Sequence, residues 1–453
     1  MSSDPKGSKH LLLKNELWSR AQKVVVGGCG LLSKRPTRYA GELWPSYFTD
    51  AKGILVKSIG GKWYQDFSEF SIGCNLLGYS DKRHRSFITS KILRNPLTSL
   101  LSPYEVELAE RLNFFFEENR SWKFCRGGGE ALALATRYAR SAGKNTKTIV
   151  CGYHGWHDWY MSCNIVSSNS LDSIFLKGLS TNGIPNAYAS TTIAADPEDP
   201  LQLKSIIQNE KPGVIVFESA RYKLLAKETI NILKSFQAEG GILVADEVTS
   251  GFRFDNKLAC NSSEIKPDFL VLGKSLGSGY AISAVGLLNI HREAAEACFA
   301  SSTHWTEQIG LAAGCATIRC ISNWSVTYDQ LKNTGQYMRE SIIKCFEGKN
   351  FEFNINDLPT MISFSFANPN YSEQQCKALL CALMLERGFL FSTTIYPSLK
   401  HKRLSIRSYS SALFAALSEL EYLLDEKGTR LHSLLGQIGL VESGFARIQV
   451  LNR

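Results

Sequence analysis

The sequence predicts an α/β fold: a large domain built on a mostly parallel sheet, with a smaller α+β domain beside it. Two observations carry this. Four short apolar runs, at 147–151, 213–218, 241–246 and 268–273, are nearly continuous, the pattern of strands covered on both faces. Helix-like stretches separate them, and strand alternating with helix builds a parallel sheet whose ligands bind beyond the carboxyl ends of the strands.

In chain order, the first ten residues are polar and small and read as a frayed tail. Residues 11–26 carry a helical pattern that stops at Gly27 and Gly28. The stretch 53–67 reads as two short strands about Gly60-Gly61, a hairpin signal. YEVELAERLNFFFEEN (104–119) has apolar residues at helical spacing. Helix-like pieces at 130–143 and 227–241 each close on glycine. AISAVGLL (281–288) follows so closely on the run at 268–273 that antiparallel pairing is expected. From 325 the texture turns α+β, with helical patterns at 375–388 and 413–428 and a strand-like MISFSFA at 361–367. The expected division is an N-terminal segment, 1–85, contributing to the small domain, a large α/β domain, 86–324, and a C-terminal α+β domain, 325–453.

Composition narrows the function. The 453 residues are 44% hydrophobic, enough for large cores. A net charge of +9 arises from 51 basic and 42 acidic residues, interspersed without a dense basic run. That argues against a nucleic-acid partner and fits an enzyme for anionic small molecules. Twelve cysteines are scattered with no CxxC pair, as in a reduced cytoplasmic protein. The N-terminus lacks a signal-peptide pattern and no apolar run approaches the ~18 residues that span a bilayer, so a soluble cytoplasmic protein is expected.

Four features fall at the carboxyl ends of the expected strands. Asp246 and Glu247 in VADEVTSGFR sit where a buried strand ends, and a buried ionised carboxylate needs a cation or a proton. Lys274, in LGKSLGSGY, ends the next apolar strand. A desolvated lysine there loses its proton and becomes a Schiff-base nucleophile, although a plain ion pair with Asp246 is an open alternative. The three glycines of CRGGGEALALATRYAR precede a strong helix with Glu130 in its first turn, a seat for phosphate on exposed N–H groups or an ordinary turn. Tyr153 in CGYHGWHDWY begins where the strand at 147–151 ends and either lies on a planar ring or packs. Together they describe a holder for pyridoxal 5'-phosphate: lysine for the aldehyde, glycines for the phosphate, aromatic for the ring, acid for the pyridine nitrogen.

DEVTSGFR, GKSLGSGY, GGGEALALATRYAR, GYHGWHDWY and SSTHWTEQIGLAAGCATI, in their order, resemble the class III aminotransferases of PLP fold type I (aspartate-aminotransferase-like), nearest the glutamate-1-semialdehyde 2,1-aminomutase branch. The likeness runs from about Leu17 to about Phe391 and is densest between 122 and 318. It implies Lys274 as Schiff-base lysine and general acid/base, Asp246 as pyridine-nitrogen partner and Val248 on the ring face opposite Tyr153. It implies Gly128 and Gly129 for the phosphate, and Thr303 for the phosphate of the neighbouring subunit's cofactor, hence a homodimer with shared sites.

The chain also departs from the pattern. Gly127 replaces Ser or Thr, removing one hydroxyl contact to phosphate; Ser219 replaces the proline after Glu218; Ala281 replaces another proline; His304 stands where tyrosine is common. For Glu218 and His304 a substrate role and a plain loop role stay open. His154, His157 and Asp158 match no metal-ligand spacing and are assigned to holding the loop after Tyr153.

The function expected is transfer of an amino group from a small-molecule donor such as glutamate to a carbonyl acceptor, with an acceptor from surface-glycan or nucleotide-sugar metabolism. An intramolecular aminomutase needs the same lysine and aspartate; the segment 163–190, expected to carry a lid, does not read like that enzyme's gating loop. A cofactor-binding scaffold without turnover is the third reading, opposed by the presence of both Lys274 and Asp246.

Overall fold

The computed structural model describes residues 16–92, 96–166, 171 and 178–439. The tail and first part of the helix expected at 11–26 lie outside the described residues, as does much of the expected lid. Residues 16–24 are helical, and the chain leaves the helix through Gly27 and Gly28 at φ 73° and 77°. Described residues up to Phe70, with Gly78–Asp81 and those from Gln330, form one compact unit; Ser71–Leu77 and Lys82–Asp329 form the other.

In the first unit β1 (Phe48–Lys52), β2 (Leu55–Ser58) and β3 (Trp63–Phe67) make an antiparallel meander. β2 and β3 are the expected hairpin, with Gly61 at φ 82° in its turn.

The second unit holds a seven-stranded sheet: β4 (Arg120–Cys125), β5 (Thr148–Cys151), β6 (Thr192–Ala194), β7 (Val214–Glu218), β8 (Ile242–Glu247), β9 (Phe269–Leu272) and β10 (Ser283–Leu288). Its order is β4-β10-β9-β8-β7-β5-β6. Five strands, β6 through β9 with β5, run parallel, and β10 pairs antiparallel with both β9 and β4. Every residue of β5, β7, β8 and β9 is buried, which is why their sequences show no polar alternation. The helix Gly128–Ala142 lays Ala131, Leu132, Ala135, Tyr138 and Ala139 on Val150, Val216, Val244 and Val271. Its alanines let helix and sheet approach closely, and each buried Leu or Val is worth roughly 1.5–3 kcal/mol.

The first unit is completed by β11 (Glu352–Ile355), β12 (Ile362–Ala367), β13 (Phe389–Phe391) and β14 (Thr394–Ile395). β13 joins β3 in parallel, and β12 lies between β11 and β14. The helices Glu373–Glu386 and Arg403–Glu426 bury their apolar faces in this core, where the Tyr409 ring stacks on Phe67 at 4.2 Å.

Parallel register brings the ends of β7, β8 and β9 level: Glu218 pairs with Asp246, and Glu247 with Leu272, one residue before Gly273-Lys274. The carboxyl edge of the second unit therefore gathers two acids and an amine.

Candidate active site

The two carboxylates that end β8 meet different partners. Glu247 is fully buried and is satisfied without a cation: its oxygens accept the N–H groups of Ala259 (3.2 Å) and Cys260 (2.7 Å), at the start of the short helix Ala259–Ser262, and the Ser250 hydroxyl (2.5 Å). Burial nevertheless pushes its carboxyl above the usual range. Asp246 points the other way. Its Oδ2 lies 2.8 Å from His154 Nδ1 and its Oδ1 accepts the Val248 N–H at 3.0 Å. His154 is completely buried, so this histidine does more than hold the loop after Tyr153: it fixes the orientation of the acid.

Lys274 enters from the end of β9 with a left-handed backbone, φ 39°. Such a conformation costs a non-glycine residue about 1–3 kcal/mol and persists where the surroundings demand it. Its Nζ donates to Thr249 Oγ1 at 2.7 Å, and among the described residues no carboxylate lies within ion-pair distance, so the plain pair with Asp246 is not what forms. Burial lowers the amine below the ordinary lysine value, opposed by the negative charges of Cys74, Asp246 and Glu218 and reinforced by Arg221. A partly desolvated amine held by a neutral hydroxyl is more easily deprotonated than an exposed one.

Ahead of them stands the N-terminus of the helix Gly128–Ala142. The N–H groups of Gly128 and Gly129 have no acceptor among the described residues, while the Glu130 carboxylate folds back onto the Arg126 N–H (2.8 Å) and accepts the Trp305 indole N–H (2.8 Å). A Cβ on Gly128 would come within 2.8 Å of Val248 Cγ1, and one on Gly129 within 3.0 Å of the His157 ring. The glycines thus keep open a small cradle between Val248 and the 152–157 loop. Donors, dipole and room all suit a phosphate.

Tyr153 and Val248 both pack on the large core below the cradle. The Tyr153 N–H donates to Glu218 Oε2 at 2.9 Å, and the same oxygen accepts Arg221 Nη1 at 2.9 Å. Ser219 is buried, and the chain after it turns tightly through an Ala220–Leu224 bridge. Thr303 and His304 are exposed on a loop that Arg126 clasps: its guanidinium donates to the carbonyls of His304 (2.5 Å), Trp305 (2.9 Å) and Glu307 (2.6 Å).

Of the residues expected from sequence, Lys274, Asp246, Glu218, Tyr153, Val248, Gly128 and Gly129 thus come from the carboxyl edge of one sheet, whereas Thr303 and His304 stand exposed on the clasped loop. The sequence reading passed over Thr249, Arg126 and Arg221, and it misjudged His154. Thr249, Arg126 and His154 lie inside VADEVTSGFR, CRGGGEALALATRYAR and CGYHGWHDWY, but their contacts, like those of Arg221, depend on where loops fold back.

The family model of class-III aminotransferases matches residues 40–396. The chain belongs to the class-III aminotransferases. This membership makes it a pyridoxal-phosphate enzyme, and the partly buried amine, the His154-backed acid and the glycine cradle fit that cofactor. Among curated relatives, the chain is 26% identical over 364 residues to a glutamate-1-semialdehyde 2,1-aminomutase of Sulfurisphaera tokodaii, covering 78% of this chain and 84% of the relative. Among solved structures, the FumI protein of Sphingopyxis sp. MTA144 aligns with TM-score 0.80 at 22% identity, covering 93% of this chain and 99% of the other. An omega-transaminase from Sphaerobacter thermophilus aligns with TM-score 0.77 at 18% identity, covering 90% and 97%. Both share the α/β architecture read from the sequence.

Proposed function

We propose that this class-III aminotransferase moves an amino group from glutamate, as donor, to a small carbonyl acceptor, working as a cytoplasmic homodimer. The observation that carries the reading is Lys274: a partly buried amine, depressed by desolvation, free of any ion pair among the described residues and just beyond the end of β9, which pairs with the end of β8 that carries Asp246.

Bound pyridoxal phosphate supplies an electron sink for the pair released at the substrate α-carbon. Lys274 would hold the cofactor's aldehyde group and, as a free amine, would carry a proton at its Nζ. Asp246 would hold a proton on the pyridine nitrogen. His154 Nδ1–H keeps the Asp246 carboxylate aimed, and the Val248 N–H holds its other oxygen. Gly128 and Gly129 bind the phosphate through N–H groups and helix dipole, with backbone doing what a hydroxyl at 127 would add. Tyr153 and Val248 would pack on the two sides of the ring, Thr249 holds the lysine amine, and Thr303 would reach the phosphate in the neighbouring subunit. Glu218 and His304 border the substrate. The acceptor is proposed to come from surface-glycan or nucleotide-sugar synthesis, on the character of the 152–160 and 301–307 loops.

The names of the curated relatives favour a second reading, an intramolecular 2,1-aminomutase using the same residues. One experiment separates them. Purified holoenzyme incubated with glutamate is expected to lose its visible absorption band and release 2-oxoglutarate; glutamate-independent turnover of an amino-aldehyde, without 2-oxoglutarate, decides for the mutase. A protein that takes up no cofactor overturns both.

A further inference from the structure

The sheet edge holds a cation that none of the roles above uses. We infer that Arg221, poised on Glu218 at the end of β7, is the seat for a carboxylate of the amino donor. This rests on the aminotransferase reading and adds the residue that selects acidic donors.

Three observations lead there. Arg221 sits on the tight turn that leaves β7, at the carboxyl edge where ligands of such sheets bind. Its guanidinium carbon lies 5.6 Å from the centre of the Tyr153 ring and 5.5 Å from that of Tyr222, and its charge reaches the Lys274 amine. The pair is also lopsided. The Glu218 side chain is 9% exposed and Arg221 28%, so the acid is sunk in the protein while the arginine is the more accessible partner. Glu218 engages one nitrogen of a five-donor fork, with the Tyr222 phenol as a further partner.

The chemistry of the fork selects the ligand. A planar guanidinium takes a carboxylate through two parallel N–H···O bonds, a fit that an ammonium lacks. A neutral substrate group cannot displace Glu218, whereas an incoming carboxylate can share or take over the fork. Glu218 is not stranded by the exchange, because the Tyr153 N–H stays on its Oε2. Gly152 makes room for this: a Cβ there would stand 2.7 Å from Glu218 Cγ. If Arg221 served only to neutralise Glu218, its loss would disturb Tyr153 and weaken all donors alike, and that difference can be measured.

The test compares bleaching of the holoenzyme's visible band by L-glutamate with bleaching by L-glutamine and by 4-aminobutyrate, which lack the side-chain and the α-carboxylate respectively. In Arg221→Met the preference for glutamate over one of these analogues is expected to fall about 10- to 100-fold, the worth of a charge-assisted hydrogen-bonded pair. Arg221→Lys is expected to recover only part of it. Equal losses for glutamate and both analogues overturn the proposal. Should Arg221→Met not fold, Glu218→Gln leaves the fork in place without its ionised partner. Glutarate, an unreactive dicarboxylate read by its perturbation of the bound cofactor's absorption, is then expected to bind more tightly than to wild type, and unchanged or weaker binding overturns the proposal. Glutarate binding needs no turnover, so it judges the arginine even if glutamate leaves the wild-type band intact, a result that would instead count against the aminotransferase reading.

Discussion

Asp246 has both oxygens engaged before any ligand arrives, one by His154 and one by the Val248 N–H, so the acid is oriented in advance. Asp246→Asn keeps the shape but removes the charge proposed to hold a proton on the pyridine nitrogen. The rate of band bleaching in a single turnover is expected to fall about 10²- to 10³-fold, the usual loss when one preorganised electrostatic partner is removed. His154→Gln, acting through Asp246, is expected to cost less, about 10-fold; a rate equal to wild type would leave the histidine with a packing role alone. The Lys274 amine gives a pH signature with a definite sign. Because burial lowers its pKa, the neutral fraction rises with pH and saturates early. Capture of added cofactor by the apoprotein should therefore reach half its maximal rate below the ordinary lysine value of 10.5. Lys274 and Asp246 were legible in sequence because each ends an apolar run, where local pattern fixes position. His154 was not, since its contact with residue 246 depends on how the loop after β5 folds back.

At the scale of elements, the helix Gly128–Ala142 and the helix-flanked cluster around His401 make separate demands. Gly128→Ala drives a methyl to within 2.8 Å of Val248, and overpacking of that kind costs about 1–3 kcal/mol. The cost falls at the proposed seat of the phosphate and the ring, so the cofactor dissociation constant, from titration of the visible band, is expected to rise about 10-fold or more. His401 is fully buried: Nδ1 accepts the Ser398 N–H at 3.0 Å, and Nε2 faces the Asp66 carbonyl at 3.1 Å. Protonating Nδ1 would set two donors against each other, and burial lowers this histidine from 6.5 to about 4. The unfolded chain therefore binds the extra proton between these values, so stability is lost as pH falls from 6.5 toward 4, by up to about 3 kcal/mol. Asp66 works in the opposite direction, because burial raises its carboxyl. The drop in urea midpoint of wild type across this window should shrink in His401→Asn. Four of the parallel strands were legible because full burial erases polar alternation, while β6, three residues long, and β4, half of whose residues are only partly buried, leave too little pattern to read, and the helices Lys82–Ile92, Pro200–Glu210, Gln308–Cys320 and Trp324–Phe346 went unread.

The whole molecule raises a question that a single chain cannot answer from its own contacts. Thr303 stands exposed on a loop that Arg126 holds by three carbonyls and that Trp305 ties to Glu130 in the phosphate cradle. A loop fastened so firmly, yet presenting its threonine outward, suits the proposed reach of Thr303 into a neighbouring subunit. Leu100, Leu101 and Phe299 of the same unit are also 83%, 76% and 82% exposed, apolar surface that a second subunit would cover. No sequence pattern reveals which exposed residue serves another copy, so the role of Thr303 rested on resemblance alone. Subunit exchange tests it. In a dimer with shared sites, each complete site takes Lys274 from one chain and Thr303 from the other. Lys274→Ala homodimers cannot capture the cofactor covalently, and Thr303→Ala homodimers should hold it weakly. When the two are unfolded together and refolded at equal amounts, half the dimers are mixed, and each mixed dimer regains one intact site, about a quarter of all sites. Cofactor titration should then reveal that fraction binding with wild-type affinity. A mixture that behaves as the sum of its parents would place Thr303 in its own subunit's site or in none.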